Sequence, residues 1–353
     1  MEEIIAKIIK SYNLNGKNYV GCKLLDFEKS TYILYFENMH NVIRYILEIK
    51  PIINNIDEVF DYYEFSKDFF KHAFLNSYKG KIVEYLKTTD EKYYFIDNDH
   101  VYLLSKYVEN SIFFNKIANK GFINEAGSCL GMFHYSLAYF PEYKLESYQK
   151  NPLFSNFVKK YNNAILIETK YKDFIIKNKY MAFKLYYLYK ENKLHLRVIN
   201  DNLLPKNFLF DFDSNLYLCI KNILKMKPGL YNIEIAKAII NLCFNENAFN
   251  NELFECFING YIHTMKLSLR QEELDNIING LIYVLYDNLL DFIINNQDYI
   301  YFNQLQKIID NKEELEKLID KIYQETRVFV KPQNGFLDIL KQKGIDVSYL
   351  KSK

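Results

Sequence analysis

The texture of the chain changes once, near residue 106, and that change limits the folds open to it. Runs rich in β-branched and aromatic residues, each bounded by polar turn residues, fill the first part at 19–25, 31–36, 42–49, 82–86, 93–96 and 101–104, and predict strands. One segment among them, 56–74 (IDEVFDYYEFSKDFFKHAF), repeats its apolar positions every three and four residues and predicts a helix. After the change, 124–140 and 251–303 carry helical periodicity, with Lys/Tyr-rich helical stretches at 156–171 and 178–189 between them. In this helical part only 208–210 and 217–220 read as strands. They are joined by Asp211-Phe212-Asp213-Ser214-Asn215, residues that bond their own backbone and suit a turn. The expected architecture is α+β and bilobal: a small antiparallel β-rich lobe over 1–106, and a larger, mainly helical lobe over 107–353 that carries the hairpin.

Composition narrows the function. The 45 basic and 44 acidic residues leave a formal charge of +1, without the basic excess of proteins that live on phosphate backbones, so nucleic acid is not an expected partner. Five cysteines (Cys22, Cys129, Cys219, Cys243 and Cys256) make an odd number with no CxxC spacing, which argues against a disulfide framework or a zinc site and for free thiols in a reducing cytoplasm. The N-terminus is acidic and amphipathic, unlike a signal peptide, and no apolar run reaches the ~20 residues that span a bilayer. The abundance of Ile, Lys, Asn and Tyr reads as the codon bias of an AT-rich genome and raises the rate of chance motif matches.

The informative stretch is 198–229, VINDNLLPKNFLFDFDSNLYLCIKNILKMKPG. It resembles the catalytic segment of small-molecule phosphotransferases. There a loop of the form His-Gly/Asn-Asp-Leu-x-Pro-x-Asn enters a hairpin ending in Ile-Asp-Phe/Leu-Asp. In that template the first aspartate sits beside the attacking hydroxyl. The later asparagine binds magnesium, and the hairpin delivers a second carboxylate to the metal. Leu203, Pro205, Asn207 and Phe208-Leu209-Phe210-Asp211 fit the template. Anchored on Asn207, the histidine position is Asn200 and the catalytic position is Asn202, with Asp201 beside it. Lys227-Pro228-Gly229 anchors the second motif and puts the metal-binding aspartate on Asn222 and the next acidic position on Leu224.

Further segments extend the likeness. Glu125 to Phe133, then Leu137-Ala138 and Pro141, resemble a helix of the N-acetylhexosamine 1-kinase branch of the aminoglycoside/choline phosphotransferase family. So do the strand Arg44-Tyr45-Ile46-Leu47, the helix Phe254 to Tyr261, Leu290-Asp291-Phe292-Ile293, and Asp298 to Phe302. The resemblance covers roughly residues 15 to 325. It implies a protein-kinase-like fold, ATP and Mg²⁺ as cofactors of an active enzyme, and a small hydroxylated substrate such as an amino sugar.

The departures from the family pattern fall on the chemistry. Asn202 cannot take a proton as a carboxylate does, a loss worth about 10²–10⁴ in rate. Asn222 is neutral, which leaves Asn207 as a weak Mg²⁺ anchor. In the small lobe Glu48 occupies the strand position that would offer a basic side chain to the phosphates, and Lys50 lies two residues on, on the same face. Asn232 replaces the aspartate of the family's Tyr-Asp-Ile segment. The expected protein is therefore pseudokinase-like, binding a nucleotide or sugar-like ligand or serving as a scaffold for a protein partner, with no cofactor needed in the latter case. The alternative is an active divergent kinase that uses Asp201 as its base. The simpler readings elsewhere are a packed, hydrogen-bonded His134, turn-forming Asp211 and Asp213, and a helix start at 267–274 capped by Ser268.

Overall fold

In the computed structural model of the chain, residues 2–26, 30–38, 41–73, 83–113, 119–150, 152–201, 207–214, 216–221, 223–245, 248–265, 268–295 and 300–327 are described. The N-terminal part is an antiparallel sheet of β1 (Asn18–Asp26), β2 (Thr31–Asn38), β3 (Asn41–Pro51), β4 (Tyr94–Asp97) and β5 (His100–Lys106), in the order β1-β2-β3-β5-β4. The sheet's two faces follow from side-chain alternation. Tyr102 and Leu104 of β5 join Tyr45 and Leu47 of β3 in a cluster with Ile5 and Ile8. These isoleucines belong to α1 (Glu2–Ser11), the amphipathic N-terminus, which is a helix laid on that face. Val101 and Leu103 face the other way and pack with Val59, Phe60 and Tyr63 of α2 (Ile56–Ala73). The run expected at 82–86 makes only one isolated bridge, Tyr85 to Ser105, and Ile82 lies outside the described residues.

The connector after β5 is tied back to the sheet. The Tyr107 N–H donates to the Arg44 carbonyl at 3.1 Å, the Arg44 guanidinium stacks over the Tyr107 ring at 4.6 Å, and its Nε donates to Glu109 Oε1 at 3.0 Å. The chain then enters β6 (Ser111–Phe113), α3 (Lys120–Leu137), α4 (Glu142–Tyr148), α5 (Ser155–Ala164), α6 (Lys172–Ala182) and α7 (Lys184–Lys190). Next come β7 (Arg197–Ile199), β8 (Phe208–Asp211), β9 (Tyr217–Ile220) and β10 (Lys227–Gly229). The remainder is α8 (Tyr231–Cys243), a two-strand ribbon of β11 (Phe244–Asn245) and β12 (Ala248–Phe249), then α9 (Asn251–Met265), α10 (Gln271–Leu274), α11 (Ile277–Asn295), α12 (Ile300–Asp310) and α13 (Lys312–Arg327). The predicted hairpin is β8–β9, and β6 pairs with its β8 edge.

Two segments matched separately in the sequence prove to be one packing unit. A Cβ on Gly127 of α3 would lie 2.1 Å from the Phe257 carbonyl oxygen, and one on Gly260 of α9 would lie 2.0 Å from that of Asn124. The two helices touch backbone to backbone, which only residues without a Cβ allow. The buried helix α11 is apolar on nearly every side, as a core helix should be. By length and composition it could cross a membrane, with mean hydropathy 1.5, but 72% of that window is buried inside the protein. Asp287 and Asp291 interrupt the run, which is why the sequence showed no unbroken apolar span. The cap expected at Ser268 moves two residues: Arg270 precedes α10, and its N–H donates to Glu273 Oε2 at 3.0 Å.

Candidate active site

The start of the catalytic-type loop is positioned by three elements. β7 pairs antiparallel with β10, with Ile199 opposite Lys227, so Asn200 and Asp201 leave the ribbon beside that lysine. α8 begins two residues after β10. Its Glu234 and Lys237 are three residues apart and share one helical face. Glu234 Oε1 accepts the backbone N–H groups of Asn200 (2.7 Å) and Asp201 (2.9 Å), which fixes the loop backbone. Lys237 takes one carboxylate oxygen of Asp201 and Lys227 takes the other. Asp201 sits at φ 51°, a left-handed conformation that aspartate tolerates better than most residues. Burial pushes its carboxyl pKa up, but Lys237 and Lys227 outweigh that and hold it below the ordinary carboxylate value.

Behind Glu234 lies a buried polar chain. The His134 Nε2–H donates to Glu234 Oε2 at 2.7 Å, and Nδ1 accepts the Tyr261 hydroxyl at 2.9 Å. That tautomer follows from the carboxylate, which can only accept. The Tyr231 ring stacks on the imidazole at 3.8 Å, and its hydroxyl donates to the His134 carbonyl at 2.9 Å. Burial lowers the His134 pKa despite the pull of Glu234, so the ring is neutral at pH 7. The packed, hydrogen-bonded role read for His134 is the observed one. Beneath Tyr231, the Arg197 Nε donates to Glu273 Oε1 at 2.7 Å in a nearly dry ion pair. Asn232 turns away from the loop and donates to the Glu273 carbonyl at 2.6 Å. Glu234, two residues on, holds the loop instead. Asn200 is fully buried, and neither polar atom of its amide has a hydrogen-bond partner among the described residues.

The metal half of the template is different. Asn207 is buried at the base of β8. In the hairpin, Phe208 pairs with Ile220 and the Lys221 N–H donates to the Asn207 carbonyl at 2.7 Å, so Lys221 stands directly across from Asn207. Asn202 and Asn222 lie outside the described residues. Asp211 forms the turn, its Oδ1 accepting the N–H groups of Asp213 (3.2 Å) and Ser214 (2.9 Å), while Asp213 accepts from the Asn110 amide at 2.8 Å. Among the described residues no group of three or more His, Cys, Asp or Glu side chains could hold a metal ion. A neutral amide opposite an ammonium does not fit Mg²⁺, which prefers carboxylate and other hard oxygen ligands.

In the N-terminal sheet, β3 brings Glu48 and Lys50 together on one face, as the alternation requires, with Lys50 Nζ 3.8 Å from Glu48 Oε2. Glu48 is buried and its Oε1 accepts the Tyr85 hydroxyl at 3.3 Å. Burial, and then the Glu48 charge, push the Tyr85 pKa well up and keep it a donor. A further ion cluster lies on α11, where Lys160 bonds Asp287 (2.9 Å) and Asp291 (2.6 Å). It is near enough to the loop for the Lys237 charge to act on Asp287.

Sequence reasoning singled out Asp201, Asn207, Glu48 and Lys50, but missed Glu234, Lys237, Lys221 and Tyr85. It read Lys227 as a motif anchor only. The available signal was the i, i+3 pair Glu234/Lys237 in the first turns of the helix that follows Lys227-Pro228-Gly229.

Comparisons with known proteins agree with the fold. No family model and no curated protein sequence matches the chain. Solved structures do. An amicoumacin kinase in complex with AMP-PNP, Ca²⁺ and Ami is 14% identical with a TM-score of 0.51, over 92% of this chain and 93% of that one. An aminoglycoside phosphotransferase from Alicyclobacillus acidocaldarius is 10% identical (TM-score 0.52; 90% and 96% covered). A microcompartment-associated aminopropanol kinase is 12% identical (TM-score 0.55; 92% and 98% covered). The chain has the α+β, kinase-like fold of these phosphotransferases, with an antiparallel sheet leading into a helical part.

Proposed function

We propose that this protein is a pseudokinase-like member of the small-molecule phosphotransferase fold, which binds a nucleotide or sugar-like ligand in the cytoplasm with phosphoryl transfer lost or greatly slowed. In this reading residues 1–106 form the nucleotide lobe and 107–353 carry the hairpin. The amino-sugar kinase branch supplies the ligand class, and ATP with Mg²⁺ would be needed only by an active form. One observation carries the reading. The only carboxylate in the described part of the loop, Asp201, has both oxygens engaged by Lys227 and Lys237 and is held below its ordinary pKa, whereas a general base needs a free carboxylate and a pKa near the working pH. The neutral residues at 202 and 222 support it. The second reading, an active divergent kinase with Asp201 as base, draws on the Glu234 bonds that keep the loop backbone in place.

The test is ATP turnover over a panel of amino sugars. The wild type should stay at background, and the double variant Asn202→Asp, Asn222→Asp should gain activity. Wild-type turnover that disappears in Asp201→Asn would refute the pseudokinase reading and establish the second one.

A further inference from the structure

Away from the loop, helices α6 and α7 pack one face inward and leave the other open. Ile175, Asn178 and Ala182 of α6 are buried, as are Leu185 and Leu188 of α7. A helix on a solvated surface turns polar residues outward. α6 instead shows Ile176 (51% exposed) and Tyr180 (68%), one turn apart. Tyr180 stacks with Tyr187 of α7 at 6.1 Å, and Tyr187 is itself 36% exposed. The three make one apolar strip across the helix pair.

The strip has a basic frame. α6 holds Lys172, Lys177 and Lys179 against Asp173, and α7 holds Lys184 and Lys190 with no acid. That is five lysines against one aspartate, a balance of +4. The Lys184 ammonium stands 5.9 Å over the Tyr180 ring, a contact that leaves its charge intact. Charges on the neighbouring segments cancel. Lys159 and Lys160 of α5 offset Asp287 and Asp291 of α11, and Lys307 offsets Asp310 on α12. Glu168 and Glu191 in the flanking turns are matched by Lys170 and Lys193, and Glu142 and Glu146 of α4 by Lys144 and Lys150. The excess of four therefore survives the full count. It also makes a second copy of this face the wrong partner, since like charges would meet.

We infer that the open face of α6 and α7 docks on a membrane surface that carries anionic lipid. Ile176, Tyr180 and Tyr187 enter the headgroup layer, where a tyrosine can bury its ring and keep its hydroxyl wet. The lysines around them meet the lipid phosphates, and their long stems cover apolar surface beside the rings. The protein lies on the bilayer and does not cross it, because the inward face of the same two helices is already packed in the core.

Co-sedimentation of the full chain with lipid vesicles tests this. The chain should bind equimolar phosphatidylcholine and phosphatidylglycerol about tenfold or more tightly than phosphatidylcholine alone, and lose that preference between ~0.1 M and ~1 M NaCl. Lys177→Gln with Lys184→Gln should weaken binding about twentyfold, roughly fivefold for each charge removed. Tyr180→Ser should weaken it about fivefold. Val42→Ser, which removes an exposed apolar side chain from the N-terminal sheet, should change nothing. A thermal melt checks that each variant folds, and the comparison of the two lipid mixtures by the wild type stands without them. No binding to the mixed vesicles overturns the inference, as does equal binding to both kinds. Binding that persists unchanged in the folded lysine and tyrosine variants places the contact elsewhere and overturns it too. Capture by polyglutamate without capture by vesicles assigns the face to an acidic protein. A concentration-dependent dimer in sedimentation equilibrium that Tyr180→Ser abolishes assigns it to a second copy. Either of these last results overturns the lipid assignment.

Discussion

Removing Glu234 should unlock the catalytic-type loop and cost the fold several kcal/mol. Its carboxylate accepts three hydrogen bonds at once, from the Asn200 N–H at 2.7 Å, the Asp201 N–H at 2.9 Å and His134 Nε2–H at 2.7 Å. The side chain is fully buried, so no water replaces it in place. Each buried donor left unpaired costs ~1–3 kcal/mol, so Glu234→Ala should lose about 3–6 kcal/mol after some local relaxation. Glu234→Gln keeps one oxygen for the two backbone donors and loses the charge assistance. A charged acceptor is worth ~1 kcal/mol more per bond than a neutral one, so this variant should lose about 2–3 kcal/mol. Urea unfolding followed by far-ultraviolet circular dichroism and tyrosine absorbance measures both, since the chain has 32 Tyr and no Trp. Hydrogen exchange at the amides of Asn200 and Asp201 should quicken more in the alanine variant than exchange in α3 or α9. Variants within ~0.5 kcal/mol of wild type, with these two amides still protected, would refute the role given to Glu234.

Three other outcomes follow from the same packing. Burial lowers the His134 pKa from its ordinary 6.5, so the unfolded chain binds a proton that the folded chain refuses. Stability should fall as pH drops below that value, by at most ~1.4 kcal/mol per pH unit, until the folded pKa is reached, and His134→Gln should flatten the slope in denaturant titrations. Arg197→Met strands the buried Glu273 and should cost ~3–5 kcal/mol by urea unfolding, whereas Arg197→Met with Glu273→Gln should cost less than the sum of the single changes. Gly260→Ala drives a Cβ against the Asn124 backbone and should destabilise by ~1–3 kcal/mol or more, while Gly21→Ala, with nothing within 4 Å, should stay within ~0.5 kcal/mol in the same assay.

Much of the fold was legible because it is written in local patterns. The strands β1 to β3, the helix α2 and the β8–β9 hairpin fall where side-chain periodicity and turn residues put them, since those signals act over a few neighbouring positions. The cap at α10 was misplaced because serine and arginine both precede its acidic first turn, and only the path of the backbone shows which one starts the helix. The site was half legible. The loop, its missing carboxylates, and Glu48 with Lys50 were visible as residue types in order.

By itself the sequence determined the change from sheet to helix, the hairpin, the glycines that let α3 and α9 touch, and the absence of a carboxylate at positions 202 and 222. Only the tertiary structure decided that Glu234 holds the loop in place of residue 232, that Lys227 and Lys237 close on Asp201, and that Lys221 faces Asn207. The reason is physical. Periodicity and turn chemistry are properties of adjacent residues, whereas these contacts join positions 14 to 36 residues apart. With 45 basic and 44 acidic side chains to choose from, only packing and strand register select which charges meet.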